Sequence, residues 1–158
     1  MNLTEALKPD LIKIPLTGKG KTGVITELLE WLSQHHSLED SQKVLAQILE
    51  REEIMTTGVG NGVAIPHCKT NTVTDFVIAL GIHPGGVAFK SLDGKPAHII
   101  FMLVGPDSQP GAHIRLLSRI SRIISDNATR EAILSCDSPE EIYKLLAEKE
   151  RLLLEVIS

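Results

Sequence analysis

The stretch TTGVGNGVAIPHCKT, Thr56 to Thr70, sets His67 directly behind Pro66 and an apolar run, after Gly58, Gly60, Asn61 and Gly62 in close succession. Imidazole titrates near neutrality and serves as nucleophile, base or hydrogen-bond donor. Proline fixes φ and withholds a donor, while glycines allow backbone paths on which N–H groups converge into an anion-binding concavity. A histidine beside such a nest can hold a phosphoryl group, with Gly58, Gly60, Asn61 and Gly62 as candidate contacts. On these residues alone, a histidine that merely hydrogen-bonds at a strand end is the favoured reading, and the phosphoryl site stays open beside it.

Other constellations fail on inspection. LTGKGKTG ends like a phosphate-binding P-loop, but that motif needs a glycine where Pro15 stands. GVGNG lacks the third glycine and the following helix of a dinucleotide fingerprint. His67 and Cys68 are neighbours that point to opposite faces of a strand, so they do not make the recurrent ligand spacing zinc requires. No metal site and no cofactor is expected. His35 and His36 read as solvated residues at a helix end, and His83 and His98, at the ends of strand-like runs, as structural.

The elements that must position His67 are legible as changes of period. LTEALKPD reads as a short helix begun at Asn2 or Thr4 and ended near Pro9, and LIKIPL alternates like a strand. KTGVITELLEWLSQHH spaces Val24, Ile25, Leu28, Leu29 and Leu32 as an amphipathic helix. LEDSQKVLAQILEREEIM does the same through Val44, Leu45, Ile48 and Leu49, with Asp40 or Ser41 as cap. GVAIPH, DFVIALGIH and HIIFMLVG are short, nearly continuous apolar runs, which predicts strands covered on both faces. GAHIRLLSRISRIISD and NATREAILSC return to helical spacing. SPEEIYKLLAEKE opens with Ser138 as cap, Pro139 in the first turn and Glu140 and Glu141 at the positive helix end. The fold class is α/β: a mixed β-sheet flanked by helices in a single domain.

Composition agrees and excludes several functions. A chain of 158 residues with 42% hydrophobic and 23% charged residues supports one core. Its five aromatics (Trp31, Phe76, Phe89, Phe101, Tyr143) leave that core to aliphatic side chains and offer few base-stacking platforms. A net charge of −4, without long like-charge blocks, gives no footprint for nucleic acid or anionic lipid. The N-terminus does not read as a secretion signal and no apolar run reaches membrane-spanning length, so a cytoplasmic location is expected. Cys68 and Cys136 are expected to be reduced thiols.

REEIMTTGVGNGVAIPHCKT, followed by LDGKPAHIIFMLVGPDSQPGAHIRLLSRIS, resembles the enzyme IIA domain of the bacterial phosphoenolpyruvate:sugar phosphotransferase system, fructose/mannitol class. The nitrogen-regulatory, PtsN-like enzymes IIA belong to the same class. The resemblance is specific from Arg51 to about Pro106, good through the helix after His113 and general before residue 40. It implies a mixed sheet flanked by helices, one type 2 domain over residues 1–158, and His67 as phosphoryl acceptor through Nε2. It also matches Arg51, sixteen positions before His67, and His113 to two further site residues. Cys68 departs from the small Gly or Ala usual after the active histidine; a packed role and an oxidisable one are both open for it. Lys69 reads as a solvated charge or as facing a docking partner. The implied donor is phosphorylated HPr or its nitrogen-branch relative. The implied next partner is enzyme IIB in sugar transport or protein targets in regulation; the free-standing length favours regulation. A third reading, an interaction module without phosphorylation, is disfavoured by the joint presence of His67, Arg51 and His113.

Overall fold

The two longest apolar runs of the chain pair with each other. In the structure, a computed structural model describing residues 1–157, β5 (Val77–Val87) and β6 (Ala97–Pro106) form an antiparallel ribbon, with Val77 opposite Val104 and Ile82 opposite Ile99. β1 (Ile12–Lys13) runs parallel to β5 on one side. On the other side of β6 lie β3 (Val63–Ala64) and β4 (His67–Thr70), both parallel to it, and β2 (Gly58–Gly60) closes the edge antiparallel to β3. The mixed sheet read from the sequence is therefore present. Except for His98, β6 is buried along its whole length, as a strand must be when helices cover both faces.

Two groups of helices provide that cover. α2 (Gly20–His35) and α3 (Ser41–Ile54) pack together and against β5 and β4 respectively. α1 (Leu3–Ala6), α4 (Pro110–Ile124), α5 (Asn127–Ser135) and α6 (Pro139–Ile157) form the second group, with α4 on β6. The expected stripe of α2, Val24, Ile25, Leu28, Leu29 and Leu32, is buried. Each such aliphatic side chain is worth about 1.5–3 kcal/mol of burial. Asp40 caps α3 by accepting from the Lys43 N–H. α1 is tied to the far end of the chain. Glu150, 2% exposed, accepts hydrogen bonds from the N–H groups of Leu3 (2.6 Å) and Thr4 (3.2 Å) and from the Thr4 hydroxyl (3.0 Å), and pairs with Arg119 at 3.6 Å.

Three expectations need correction. LIKIPL yields only the two residues of β1, because Leu11 still belongs to the 3-10 turn Pro9–Leu11 and Pro15 has no N–H with which to continue the ladder. α6 continues to Ile157, well past the SPEEIYKLLAEKE segment. GVAIPH is not one strand. Its register against β6 is the same before and after Ile65–Pro66, so β3 and β4 are two pieces of one line interrupted where proline has no N–H to give. At the break, the Ile65 N–H turns to the Thr57 carbonyl at 3.0 Å and the Pro66 carbonyl accepts from the Leu103 N–H at 3.1 Å.

Candidate functional site

His67 opens β4, immediately after the interruption, and its ring bends back on the chain. Nδ1 lies 2.7 Å from the Ile65 carbonyl oxygen. A carbonyl only accepts, so Nδ1 carries the proton of the neutral ring and Nε2 the lone pair. Burial is the largest influence on this imidazole and lowers its pKa; the bond to Ile65 opposes that, and the charge of Arg51 adds to the lowering. The ring is consequently held neutral in one tautomer, the form a nitrogen nucleophile needs.

His113 comes from the first turn of α4. Its spacing with Leu116, Ile120 and Ile123 puts it in the buried stripe of that helix, and it is only 3% exposed. Its ring centroid is 5.6 Å from that of His67, with the planes 53° apart. Neither ring nitrogen of His113 has a hydrogen-bond partner, an arrangement that costs about 1–3 kcal/mol for a buried polar group. Burial, and then the neighbouring His67 and Lys69, push its pKa down to about 4. At neutral pH it is therefore a neutral ring with one N–H to offer.

The ring of His113 fits because residue 105 has no side chain. A Cβ on Gly105 would stand 2.7 Å from His113 Nδ1 and 2.6 Å from Phe76 Cε1. Phe76 backs the imidazole at 6.2 Å between centroids. Sequence reasoning missed both. A glycine before proline at a strand end reads as a turn signal, and nothing local marks it as the floor under a ring.

Arg51 lies in the last turn of α3, where its guanidinium caps the helix by donating to the Met55 carbonyl at 3.0 Å. It lines one surface groove of about 440 Å³ together with His67, His113, Lys69 and, one turn earlier on α3, Gln47. The structure thus brings together the three residues singled out by resemblance. Gln47, whose side-chain oxygen is buried without a partner, was not legible as part of this cluster. The rim is apolar: Ile54 is 81% exposed and Ile114 65%. Cys68, on the same groove, is 4% exposed, and burial pushes its thiol up to about 12. That supports the packed role over the oxidisable one. Cys68 and Cys136 are both free.

The glycine loop goes elsewhere. Gly58, Gly60, Asn61 and Gly62 form the β2–β3 hairpin, and they do not line the His67 groove. The Gly58 N–H donates to the Thr56 hydroxyl at 3.0 Å and the Asn61 N–H to the Asp93 carboxylate at 2.9 Å. Gly60, Asn61 and Gly62 all have positive φ, so these residues serve the reversal of the chain. His83 and His98 are structural as read: His83 Nε2 lies 2.9 Å from the Gly18 carbonyl, and His98 Nδ1 lies 3.0 Å from that of His83. Among the described residues, no group of three or more His, Cys, Asp or Glu side chains is placed to hold a metal ion, and no helix is long and apolar enough to cross a membrane.

Comparison with known proteins gives the family of the chain. Residues 5–149 match the family model for the phosphoenolpyruvate-dependent sugar phosphotransferase system, EIIA 2. The chain is 35% identical over 151 residues to the fructose-specific EIIABC component of Bacillus subtilis, covering 96% of this chain but only 24% of that protein. It is 34% identical to the fructose-specific EIIA component of Haloferax volcanii, over 88% of this chain and 90% of that one. Among solved structures, the nitrogen regulatory protein IIA-Ntr of Neisseria meningitidis superposes with a TM-score of 0.85 at 30% identity, covering 91% of this chain and 98% of its own. The mannitol enzyme IIA of Escherichia coli, solved in complex with phosphorylated enzyme IIB, shares the fold with a TM-score of 0.76 at 20% identity, covering 90% of this chain and 99% of that one. The chain belongs to the type 2 EIIA family of the phosphoenolpyruvate-dependent sugar phosphotransferase system.

Proposed function

We propose that the chain is a cytoplasmic phosphocarrier, one EIIA domain across residues 1–158, that accepts a phosphoryl group on His67 Nε2 from phosphorylated HPr or its nitrogen-branch relative. The supporting observation is the pair of facing imidazoles. His67 has Nδ1 fixed by the Ile65 carbonyl, and His113 is buried beside it with both nitrogens unpartnered. In the transfer, the Nε2 lone pair forms the new N–P bond while the donor's N–P bond breaks and its electron pair returns to the donor ring. The positive charge that develops on the His67 ring is shared with Nδ1–H, which the Ile65 carbonyl holds. The transferring phosphoryl oxygens need positioned donors, and His113 and Arg51 supply them. Because the groove is open and apolar-rimmed, the phosphoryl group arrives on another protein, docked on Ile54 and Ile114, rather than as a free small molecule.

The carrier's destination has two readings. A regulatory, PtsN-like role draws support from the close superposition on IIA-Ntr. Delivery to a sugar-specific enzyme IIB draws support from the fructose-specific relatives at 34–35% identity. Incubation with phosphoenolpyruvate, enzyme I and HPr or its relative tests the carrier step: one acid-labile, base-stable phosphoryl group is expected in the wild type and none in His67→Ala. Full labelling of His67→Ala, or an acid-resistant label, overturns the assignment. Adding a fructose-type enzyme IIB to the labelled protein separates the two destinations, since rapid discharge selects transport.

A further inference from the structure

A chain of hydrogen bonds runs from α3 to His67 and begins at a buried acid. Glu52, next to Arg51 on α3, is 6% exposed. Its Oε2 accepts from Lys21 Nζ and from the Thr57 N–H, each at 2.8 Å, and its Oε1 accepts a short bond from the Thr57 hydroxyl. Thr57 is itself 5% exposed, and its carbonyl accepts the Ile65 N–H at 3.0 Å. Ile65 in turn offers the carbonyl that holds His67 Nδ1 at 2.7 Å. A carboxylate this deep is retained only when paired and fully hydrogen-bonded. Lys21, from the start of α2, provides the pairing. Two bonds from one carboxylate hold the amide and the side chain of Thr57 to α3, and the Ile65 N–H then meets a carbonyl carried by an anchored residue.

From this continuous set of bonds we infer that Glu52 is a positioning residue for phosphoryl transfer. By clamping Thr57 it fixes Ile65, and through the Ile65 carbonyl it sets the tautomer and direction of the His67 ring. The inference rests on His67 being the acceptor. Proline at 66 makes the clamp necessary. With no N–H at that position the β3–β4 line is interrupted beside Ile65, and the bond to Thr57 anchors Ile65 on the side away from β6. The negative charge of Glu52 also acts on His67 in the sense opposite to Arg51 and Lys69, favouring a protonated ring. That opposition is useful to an imidazole that must be neutral before attack and positive during it.

Two substitutions test the inference, each with two readouts. Glu52→Gln keeps the shape but removes the charge and one acceptor; Thr57→Val keeps the volume but removes the hydroxyl. The tautomer of His67, read from its ring nitrogen-15 shifts at neutral pH, needs no phosphoryl donor. It is expected to move from nearly all Nδ1–H in the wild type to a mixture in both variants. Single-turnover transfer from phosphorylated HPr is expected to slow about tenfold, the low end of what losing an outer partner costs an oriented imidazole. Thr57→Ser, which restores the hydroxyl, should recover the wild-type tautomer. An unchanged tautomer in both Glu52→Gln and Thr57→Val overturns the inference even if transfer slows, because the effect would then not pass through the His67 ring. If Glu52→Gln fails to fold, Thr57→Val carries the test alone. Should the wild type itself not be labelled on His67, the carrier assignment fails, while the tautomer result still decides whether Glu52 positions that ring.

Discussion

Replacing Gly105 by alanine tests how tightly the two imidazoles are seated. The added methyl would stand 2.6 Å from Phe76 and 2.7 Å from His113, against an ordinary contact of about 3.5–4.0 Å. Both rings would have to retreat by roughly 1 Å. Overpacking of this kind costs about 1–3 kcal/mol. Gly105 is not among the residues at positive φ, so alanine fits the backbone and gains about 0.4–1 kcal/mol by restricting the unfolded chain. Collision wins by roughly 1–2 kcal/mol, which at this chain length lowers Tm by about 2–8 °C. A displacement near 1 Å at a reacting group can slow chemistry up to about a hundredfold, so single-turnover phosphoryl transfer should fall by roughly ten- to a hundredfold. The double variant Gly105→Ala with His113→Ala removes half of the collision: it should recover stability relative to the sum of the single changes, but not rate. A Gly105→Ala protein with wild-type transfer refutes the reasoning, whether or not it is less stable, because the methyl would then have moved Phe76 alone.

Other outcomes follow from the same contacts. His113→Phe should leave stability unchanged or raise it, since an unpartnered buried ring is exchanged for an apolar one, yet slow transfer about a hundredfold, as loss of one oriented donor does; a parallel loss of both in melting and single-turnover measurements would contradict this. Because the folded pKa of His113 is lowered to about 4, the unfolded chain binds its proton first on acidification, so stability should fall as pH drops from about 6.5 towards 4 and level off below. Denaturant titrations should show that slope flattened in His113→Phe. Cys136 should react with iodoacetamide at pH 8 well before the buried Cys68, and equal rates by mass spectrometry would argue against the packing described. Glu150→Ala should cost about 3 kcal/mol, as when a buried ion pair loses one partner, with hydrogen exchange of the Leu3 and Thr4 amides rising most.

How much of this could be read from the chain depended on whether a residue's task is local. α2 and α3 were legible because their apolar period and the Asp40 cap lie within a few residues of what they organise. The β2–β4 region was not: three strand pieces in thirteen residues are too short to show a period, and the interruption at Pro66 appears only against β6. The loop before His67 suggested a phosphate nest, but the Gly58 N–H answers to Thr56 and the Asn61 N–H to Asp93, which is more than thirty residues away. His67 had a chemical argument of its own. Arg51 and His113 had none, since an arginine ending a helix reads as a cap and a histidine in an apolar stripe reads as core, and resemblance alone singled them out. Gly105 and Gln47 carried no signal because their neighbours come from other elements, and Glu52 carried none because a carboxylate near a helix end reads as solvated until Lys21 and Thr57 are seen to bury it.

The tautomer of His67 is set by a main-chain oxygen, and a main-chain oxygen survives every substitution at the residue that owns it. Position 65 can therefore drift through any side chain that packs as isoleucine does, buried at 4% exposure, without altering the instruction given to the imidazole. The weak points are different in kind: a residue inserted or deleted between 65 and 67 would turn the carbonyl away from the ring, and any replacement of Pro66 would give the chain back an N–H with which to join β6. Descendants of this sequence thus have latitude in the side chain at position 65 and almost none in the length of the segment that carries it, and an alignment gap there would say more about lost activity than a changed letter at that position.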